Sequence, residues 1–301
     1  MMRLQVKVLL LLWPVFAILG LFSVAAASPV TPGVALWQLE HENGGRAVLM
    51  GTVHLLPDDD SWADKRIRAA SKAADMLVLE AVAVAASGQS LQAFALKAGF
   101  IADTAPGLST RLTALDNQRL ADALATLHIP PGTMERMQPW FAALNLTLTA
   151  VMKQGFEADQ GAESWLRGRF ERAGEPVGVL ESATAGLMAL ATLPQDLQLE
   201  MLRAAFVQVE SQGEDIDALY TAWRSGDQMQ LTALIMDPEQ FHPAVHKAVL
   251  VDRNANWVKP ILDYLETPEE EFIAVGAAHM VGPGNLIEML QKAGVRVERL
   301  Q

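Results

Sequence analysis

The sequence predicts an α/β fold: a mixed central sheet flanked by helices, arranged as pseudo-symmetric halves. Three observations carry that expectation. Strand-like runs recur at 34–40, 46–50, 76–80, 177–181, 272–275 and 295–300, and the apolar ones among them suit strands buried on both faces. Stretches of helical periodicity separate most of these runs. One pattern is also used twice: Ala47-Val48-Leu49-Met50 leads into Gly51-Thr52-Val53-His54, and Phe272-Ile273-Ala274-Val275 leads into Gly276-Ala277-Ala278-His279. A second pair matches it, since Met76-Leu77-Val78-Leu79-Glu80 and Val177-Gly178-Val179-Leu180-Glu181 are apolar runs that close on Leu-Glu.

The elements follow in order. The first two strand-like runs flank Asn43-Gly44-Gly45, a hairpin turn signal. Pro57 and Asp58-Asp59-Asp60 then break the chain, and Ser61 is placed to cap a helix over 61–74. Its acids come first and Lys65, Arg66 and Arg68 later, as the helix dipole prefers. After the strand at Glu80, Ser109 opens a helix over 109–127 that Pro130-Pro131-Gly132 stops. A long apolar helix is expected over 134–154, with Pro139 near its start, and another over 162–173 closed by Gly174. Past Glu181, helical periodicity covers 187–208, 216–225 and 250–267. The chain closes as strand, helix over 284–293, Gly294 and strand.

Composition narrows the function. The net charge of −12 argues against nucleic acid, which needs clustered Lys and Arg to neutralise phosphate. There is no cysteine, so disulfides, thiolate metal sites and a Cys nucleophile are excluded together. Arg3 and Lys7 precede an apolar run over 8–24 and the small residues Ala25-Ala26-Ala27. That order reads as a secretory signal peptide over 1–27, followed by one domain over 28–301. Pro14 and the small-residue exit favour cleavage over a membrane anchor. The expected location is a bacterial periplasm or the medium, with no stable span after cleavage.

His54 and His279 are the leading candidates for chemistry. A Gly after a strand lets the backbone turn and approach a ligand, and the His three positions on then stands at the strand's mouth. Neutral imidazole is a common ligand of divalent metals. Glu80 and Glu181 each end an apolar strand, and a Glu there is rarely buried unless it is paired or bound to metal. His54, His279 and Glu80 supply three ligands and leave a position open for water, with Glu181 as general base or fourth ligand. Arg253-Asn254, followed by Trp257, can steady an oxyanion or orient a carboxylate. His242 and His246 are spaced i, i+4, but Pro243 lies between them and no His-Glu-x-x-His accompanies them.

These residues carry a family likeness. The sequence resembles the TraB/PrgY/GumN family, which includes the Tiki proteases. The matching pieces are Gly51-Thr52-Val53-His54, Leu79-Glu80, Leu180-Glu181, Trp223-Arg224-Ser225-Gly226-Asp227 and Arg253-Asn254 with Trp257. They also include Val275-Gly276-Ala277-Ala278-His279-Met280-Val281-Gly282-Pro283 and the ending Gly294-Val295-Arg296-Val297-Glu298-Arg299-Leu300. The resemblance implies a fold related to erythromycin esterase and the haem-binding ChaN lipoproteins. It also implies a divalent-metal hydrolase, with Tiki-type members cleaving peptides using manganese or cobalt. Where many relatives have Gly-apolar-Asp, this chain has Gly161-Ala162-Glu163, and a role for Glu163 stays open.

The expected activity is metal-dependent hydrolysis of a peptide or small molecule, with manganese, cobalt or zinc held by His54, Glu80 and His279. Glu80, Glu181, Arg253 and Asn254 are the expected catalytic residues. The other expectations are a non-enzymatic periplasmic haem- or metal-binding protein, and an accessory role in surface polysaccharide export.

Overall fold

Buried parallel strands need cover on both faces, and the sheet here has it. The computed structural model describes residues 33–81, 91–211, 214–237 and 242–300. Pro32–Gln301 forms one compact unit. The expected leader over 1–27 lies outside the described residues. Among the described residues no helix is long and apolar enough to cross a membrane.

Six strands form one mixed sheet: β1 (Leu36–Glu40), β2 (Arg46–Thr52), β3 (Met76–Leu79), β4 (Val177–Val179), β5 (Glu271–Gly276) and β6 (Arg296–Leu300), in the spatial order β4-β3-β5-β2-β1-β6. The hairpin β1–β2 and the pair β1–β6 are antiparallel. The neighbours β4, β3, β5 and β2 run parallel to one another. Their register sets Leu79 beside Val179 and Ala274, and Thr52 beside Gly276. The chain therefore leaves four adjacent strands on the same side of the sheet, where ligand sites of open α/β sheets lie.

Alternation along each strand feeds two cores. On one face Leu36, Met50, Leu77, Phe272 and Ala274 pack with Ile67 of α1 (Lys65–Ala73), Leu166 and Phe170 of α5 (Ala162–Ala173), Trp223 of α8 (Glu214–Ser225) and Leu231 of α9 (Gln228–Ile235). On the other, Leu39, Leu49, Ile273 and Val275 pack with Trp257, Ile261 and Leu265 of α11 (Asp252–Leu265) and with Leu286 and Leu290 of α12 (Leu286–Lys292). A third core is wholly helical. Leu120 and Leu124 of α3 (Ala114–Leu127), Leu146 of α4 (Pro139–Lys153) and Leu202 and Phe206 of α7 (Gln195–Glu210) meet there.

Several helix boundaries differ from expectation, each for a local reason. Asp64, not Ser61, caps α1, accepting from the N–H groups of Arg66 and Ile67, while the Ser61 hydroxyl donates to Asp59. Ser109 lies in a short 3-10 turn and donates to Glu135, so α3 starts after the Thr113 cap. The single helix expected over 187–208 is two, α6 (Ala185–Ala191) and α7, because Pro194 cannot continue the first. The helix α9 is an addition, as are α2 (Leu91–Gly99) and α10 (Pro243–His246). The latter runs through a π-helical turn, Lys247–Val251, straight into α11. Such wide turns occur often at functional sites.

Candidate functional site

The carboxyl ends of the four parallel strands deliver Glu181, Glu80, His279 and His54 in that spatial order, and α11 lays Arg253 across them. The guanidinium is the hub. Its Nη2 donates to Glu80 Oε2 at 2.6 Å and to Glu181 Oε1 at 2.7 Å, and Nε lies 3.2 Å from both Glu181 oxygens. Nη1 donates to the Val249 carbonyl of the π-helical turn at 3.1 Å and stands 3.2 Å from His279 Nε2. Trp257, one turn further along α11, donates its indole N–H to Glu181 Oε2 at 3.0 Å. The same ring lies under the Arg253 guanidinium, 4.8 Å from centroid to carbon, which adds a cation–π contact.

Glu80 is nearly buried, with 12 % of its side chain exposed. Burial pushes its carboxyl up, but His279, Arg253, His54 and the Gly276 N–H outweigh that and hold it below its ordinary value. The Gly276 N–H donates to Oε1 at 2.5 Å. Burial drags the Arg253 pKa down, yet the hydrogen bonds and charges of Glu181 and Glu80 raise it on balance. The cluster thus carries a permanent cation between two carboxylates.

The two imidazoles are held differently. His279 is buried, and its Nδ1 meets Asn254 Oδ1 at 2.6 Å. Burial drives its pKa down to about 3, with Arg253 and His54 adding to the fall against Glu80. The ring is therefore neutral at ordinary pH. Since Arg253 can only donate, Nε2 is the acceptor and Nδ1 carries the proton. Asn254 turns its amide N–H to the Gly284 carbonyl at 3.0 Å, so both ends of that side chain are engaged.

His54 is open, with 64 % of its side chain exposed, and its Nδ1 lies 2.9 Å from Glu163 Oε1. The Glu163 charge and hydrogen bond lift its pKa to about 9, though water reaches the ring and screens the pair. Glu163 sits in the first turn of α5, and the Thr52 hydroxyl donates to the same oxygen.

A small space separates these groups over Gly276. A Cβ built on that glycine would stand 3.0 Å from Glu80 Oε1, 3.6 Å from His279 Cδ2 and 3.9 Å from His54 Nε2. This cradle is where a ligand of atomic size would meet all three side chains.

The sequence-predicted residues His54, Glu80, Glu181, Arg253, Asn254 and His279 come together here, and Trp257 with them. Glu181 spends both oxygens on Arg253 and Trp257. His242 takes no part: its Nδ1 accepts the Ala244 N–H at 3.0 Å and caps α10. In the Asp58-Asp59-Asp60 run, Asp59 accepts from Ser61 and Asp60 pairs with Arg68. The Trp223 indole supports the His54 strand, donating to the Gly51 carbonyl at 2.8 Å. Glu163 was not among the expected site residues. Its sequence signals were an acid two places after a glycine at a helix start, which by itself reads as capping chemistry, and its place in the Gly161-Ala162-Glu163 triplet, which left its role open.

The sequence profile of the TraB/PrgY/gumN family matches residues 35–299. This chain belongs to that family. The matched span contains every residue of the cluster described above. YbaP of Escherichia coli strain K12, described as an uncharacterized protein, is 24 % identical over 245 residues, covering 81 % of this chain and 87 % of the relative. YbaP of Shigella flexneri matches with the same figures. No solved structure matches the chain.

The resemblance implies a divalent metal, and the donor set can be weighed against it. Two imidazoles and a carboxylate border the cradle over Gly276, and each imidazole has its Nδ1 tied to a side-chain oxygen, as metal-binding histidines usually do. In the arrangement seen, Arg253 bridges Glu80 and His279, and no group of three His, Asp or Glu among the described residues is spaced to hold an ion. The donors fit a divalent ion by type, and to hold one Arg253 would have to leave His279 Nε2 and Glu80 Oε2.

Proposed function

We propose that this chain is an exported metal-dependent hydrolase, acting on peptides in a bacterial periplasm or outside the cell. One observation carries the reading: both imidazoles are tied at Nδ1, and His54 Nε2, Glu80 Oε1 and the His279 ring face the same cradle over Gly276. His54, Glu80 and His279 would hold the ion, which when bound would bring the pKa of its water down to ~7.

The chain's own residues then have separable tasks. The Gly276 N–H keeps Glu80 Oε1 turned to the cradle. Asn254 keeps His279 in the tautomer whose Nε2 carries the lone pair, which Arg253 Nη1 faces in the arrangement described. Arg253 brings a fixed positive charge to the edge of the cradle, suited to a developing oxyanion. Glu181 and Trp257 aim that guanidinium. With both oxygens engaged, Glu181 serves as its anchor rather than as a base.

The test is metal analysis of the purified chain beside His54→Ala and His279→Ala, with peptide hydrolysis assayed in added manganese, cobalt or zinc and after chelation. The reading expects metal in the parent, its loss in both variants, and activity that stops with the chelator. Parent-like metal content in both variants would remove the site assignment.

A second reading is favoured by the Arg253 bridge itself. With the guanidinium supplying the positive charge, a His54 imidazolium backed by Glu163 can act as a general acid without any ion. Hydrolysis that survives exhaustive chelation yet disappears in His54→Ala would select it.

A further inference from the structure

The His54 ring has little to hold it except one carboxylate. It stands at a strand mouth, largely open to water. A histidine χ2 is a broad, roughly two-fold torsion, so an exposed ring with no partner flips and exchanges tautomers. We propose that Glu163, braced by Thr52, is the positioning residue of His54, fixing Nδ1 outward so that Nε2 faces the cradle.

The geometry around Glu163 is built for delivery. Its Oε1 takes the Thr52 hydroxyl as well as His54 Nδ1, so the carboxylate is pinned from two sides by residues at the end of the same strand. The start of α5 is fastened to the loop that carries His54. The Ala162 N–H donates to the Val53 carbonyl at 3.0 Å, and Leu56 and Glu157 exchange backbone bonds at 3.2 and 2.9 Å. Gly161 makes this approach possible, because a Cβ there would stand 2.1 Å from the His54 carbonyl oxygen. A surface ion pair between mobile side chains is worth little. This one joins two segments whose backbones are already docked, and only 18 % of the Glu163 side chain is exposed.

The two imidazoles are thereby made unlike. The buried ring has a neutral amide oxygen as its partner and the open ring a charged one. A carboxylate behind Nδ1 raises the basicity of Nε2 more than an amide does. His54 is then the stronger donor of the pair and His279 the fixed one.

The purpose of this positioning rests on the hydrolase reading; its geometry does not. Two measurements keep them apart. In proton-detected spectra of the ¹⁵N-histidine-labelled chain, with the His54 signal assigned by its loss in His54→Gln, a hydrogen-bonded Nδ1–H resonance is expected far downfield. It should vanish in Glu163→Ala and persist, shifted, in Glu163→Asp and Glu163→Gln. Zinc and manganese affinity by calorimetry should fall ~10–100-fold in Glu163→Ala and less in Glu163→Gln and Thr52→Val. A His54 signal unchanged in folded Glu163→Ala overturns the proposal, as does unchanged affinity in a parent that binds metal. A parent that binds no metal but whose His54 signal depends on Glu163 upholds the positioning and sinks the hydrolase reading alone.

Discussion

Glu181 grips Arg253 from the end of its strand: Nη2 lies 2.7 Å from Oε1, and Nε lies 3.2 Å from each carboxylate oxygen. Both side chains are close to buried, at 12 % and 13 % exposure. Removing one member of such a pair leaves an uncompensated charge in a poor solvent for it. Arg253→Met strands two carboxylates, Glu80 and Glu181, and should cost about 3–5 kcal/mol in denaturant unfolding. Glu181→Gln keeps a hydrogen-bond acceptor and leaves Arg253 its second partner, so it should cost clearly less. Equal losses in the two variants would show that Glu80 contributes nothing to holding the guanidinium.

Gly276 separates stability from function. Its backbone, φ −51° and ψ 134°, suits alanine as well as glycine. The obstacle to a side chain lies only in the site, where a Cβ would press on Glu80 Oε1 at 3.0 Å and occupy the cradle. Gly276→Ala should unfold within a few degrees of the parent while the hydrolysis proposed for the site drops on the order of 100-fold, as ~1 Å displacements at reacting groups do. A variant with full activity would place the reacting atoms elsewhere.

The strands and their closing residues were legible because buried parallel strands leave unbroken apolar runs, and a His or Glu at the end of such a run stands out. Sequence order alone does not say which strands are neighbours. The pairing of β2 with β5 and of β3 with β4 comes from the crossovers. The cap of α1 was misplaced because Ser61 and Asp64 are both good caps, and only the contact of Asp59 with Ser61 decides between them. Glu163 was not legible as a site residue. Its partner Thr52 is 111 positions away, and nothing in a helix-start acid tells which strand mouth it will face. The Arg253 bridge was equally hidden, since it depends on three elements meeting.

Gly161→Ala attacks the junction rather than the site. The new methyl would collide with the backbone carbonyl of His54, which no side-chain rotation relieves. The start of α5 must then move off the loop, and Glu163 with it. Such overpacking typically costs ~1–3 kcal/mol. The expected signature is a lower unfolding midpoint together with loss of the His54 Nδ1–H resonance. Loss of stability with that resonance intact would show that the carboxylate reaches His54 without help from the docked backbone.

Glu271 should make the fold weaken as pH rises. It opens β5, at the end of the sheet opposite the site, with 1 % of its surface exposed. The Thr267 hydroxyl donates to its Oε1 at 3.0 Å, and its Oε2 is buried without a hydrogen-bond partner among the described residues. Burial raises its pKa from 4.5 to about 7, with Glu269 and Asp75 adding to the rise and Thr267 opposing it. The folded chain thus keeps a proton that the unfolded chain gives up. Its contribution is complete below about 4.5, is lost progressively as pH climbs to about 7, and is absent above that. The loss is on the order of 3 kcal/mol. Glu271→Gln keeps the shape and has nothing to ionise, so the gap in unfolding free energy between variant and parent should widen from pH 4.5 to 7 and then stay constant. The other titrating groups cancel in that difference, His54 and His279 among them. A gap that does not change with pH would mean that Glu271 is already ionised in the folded chain.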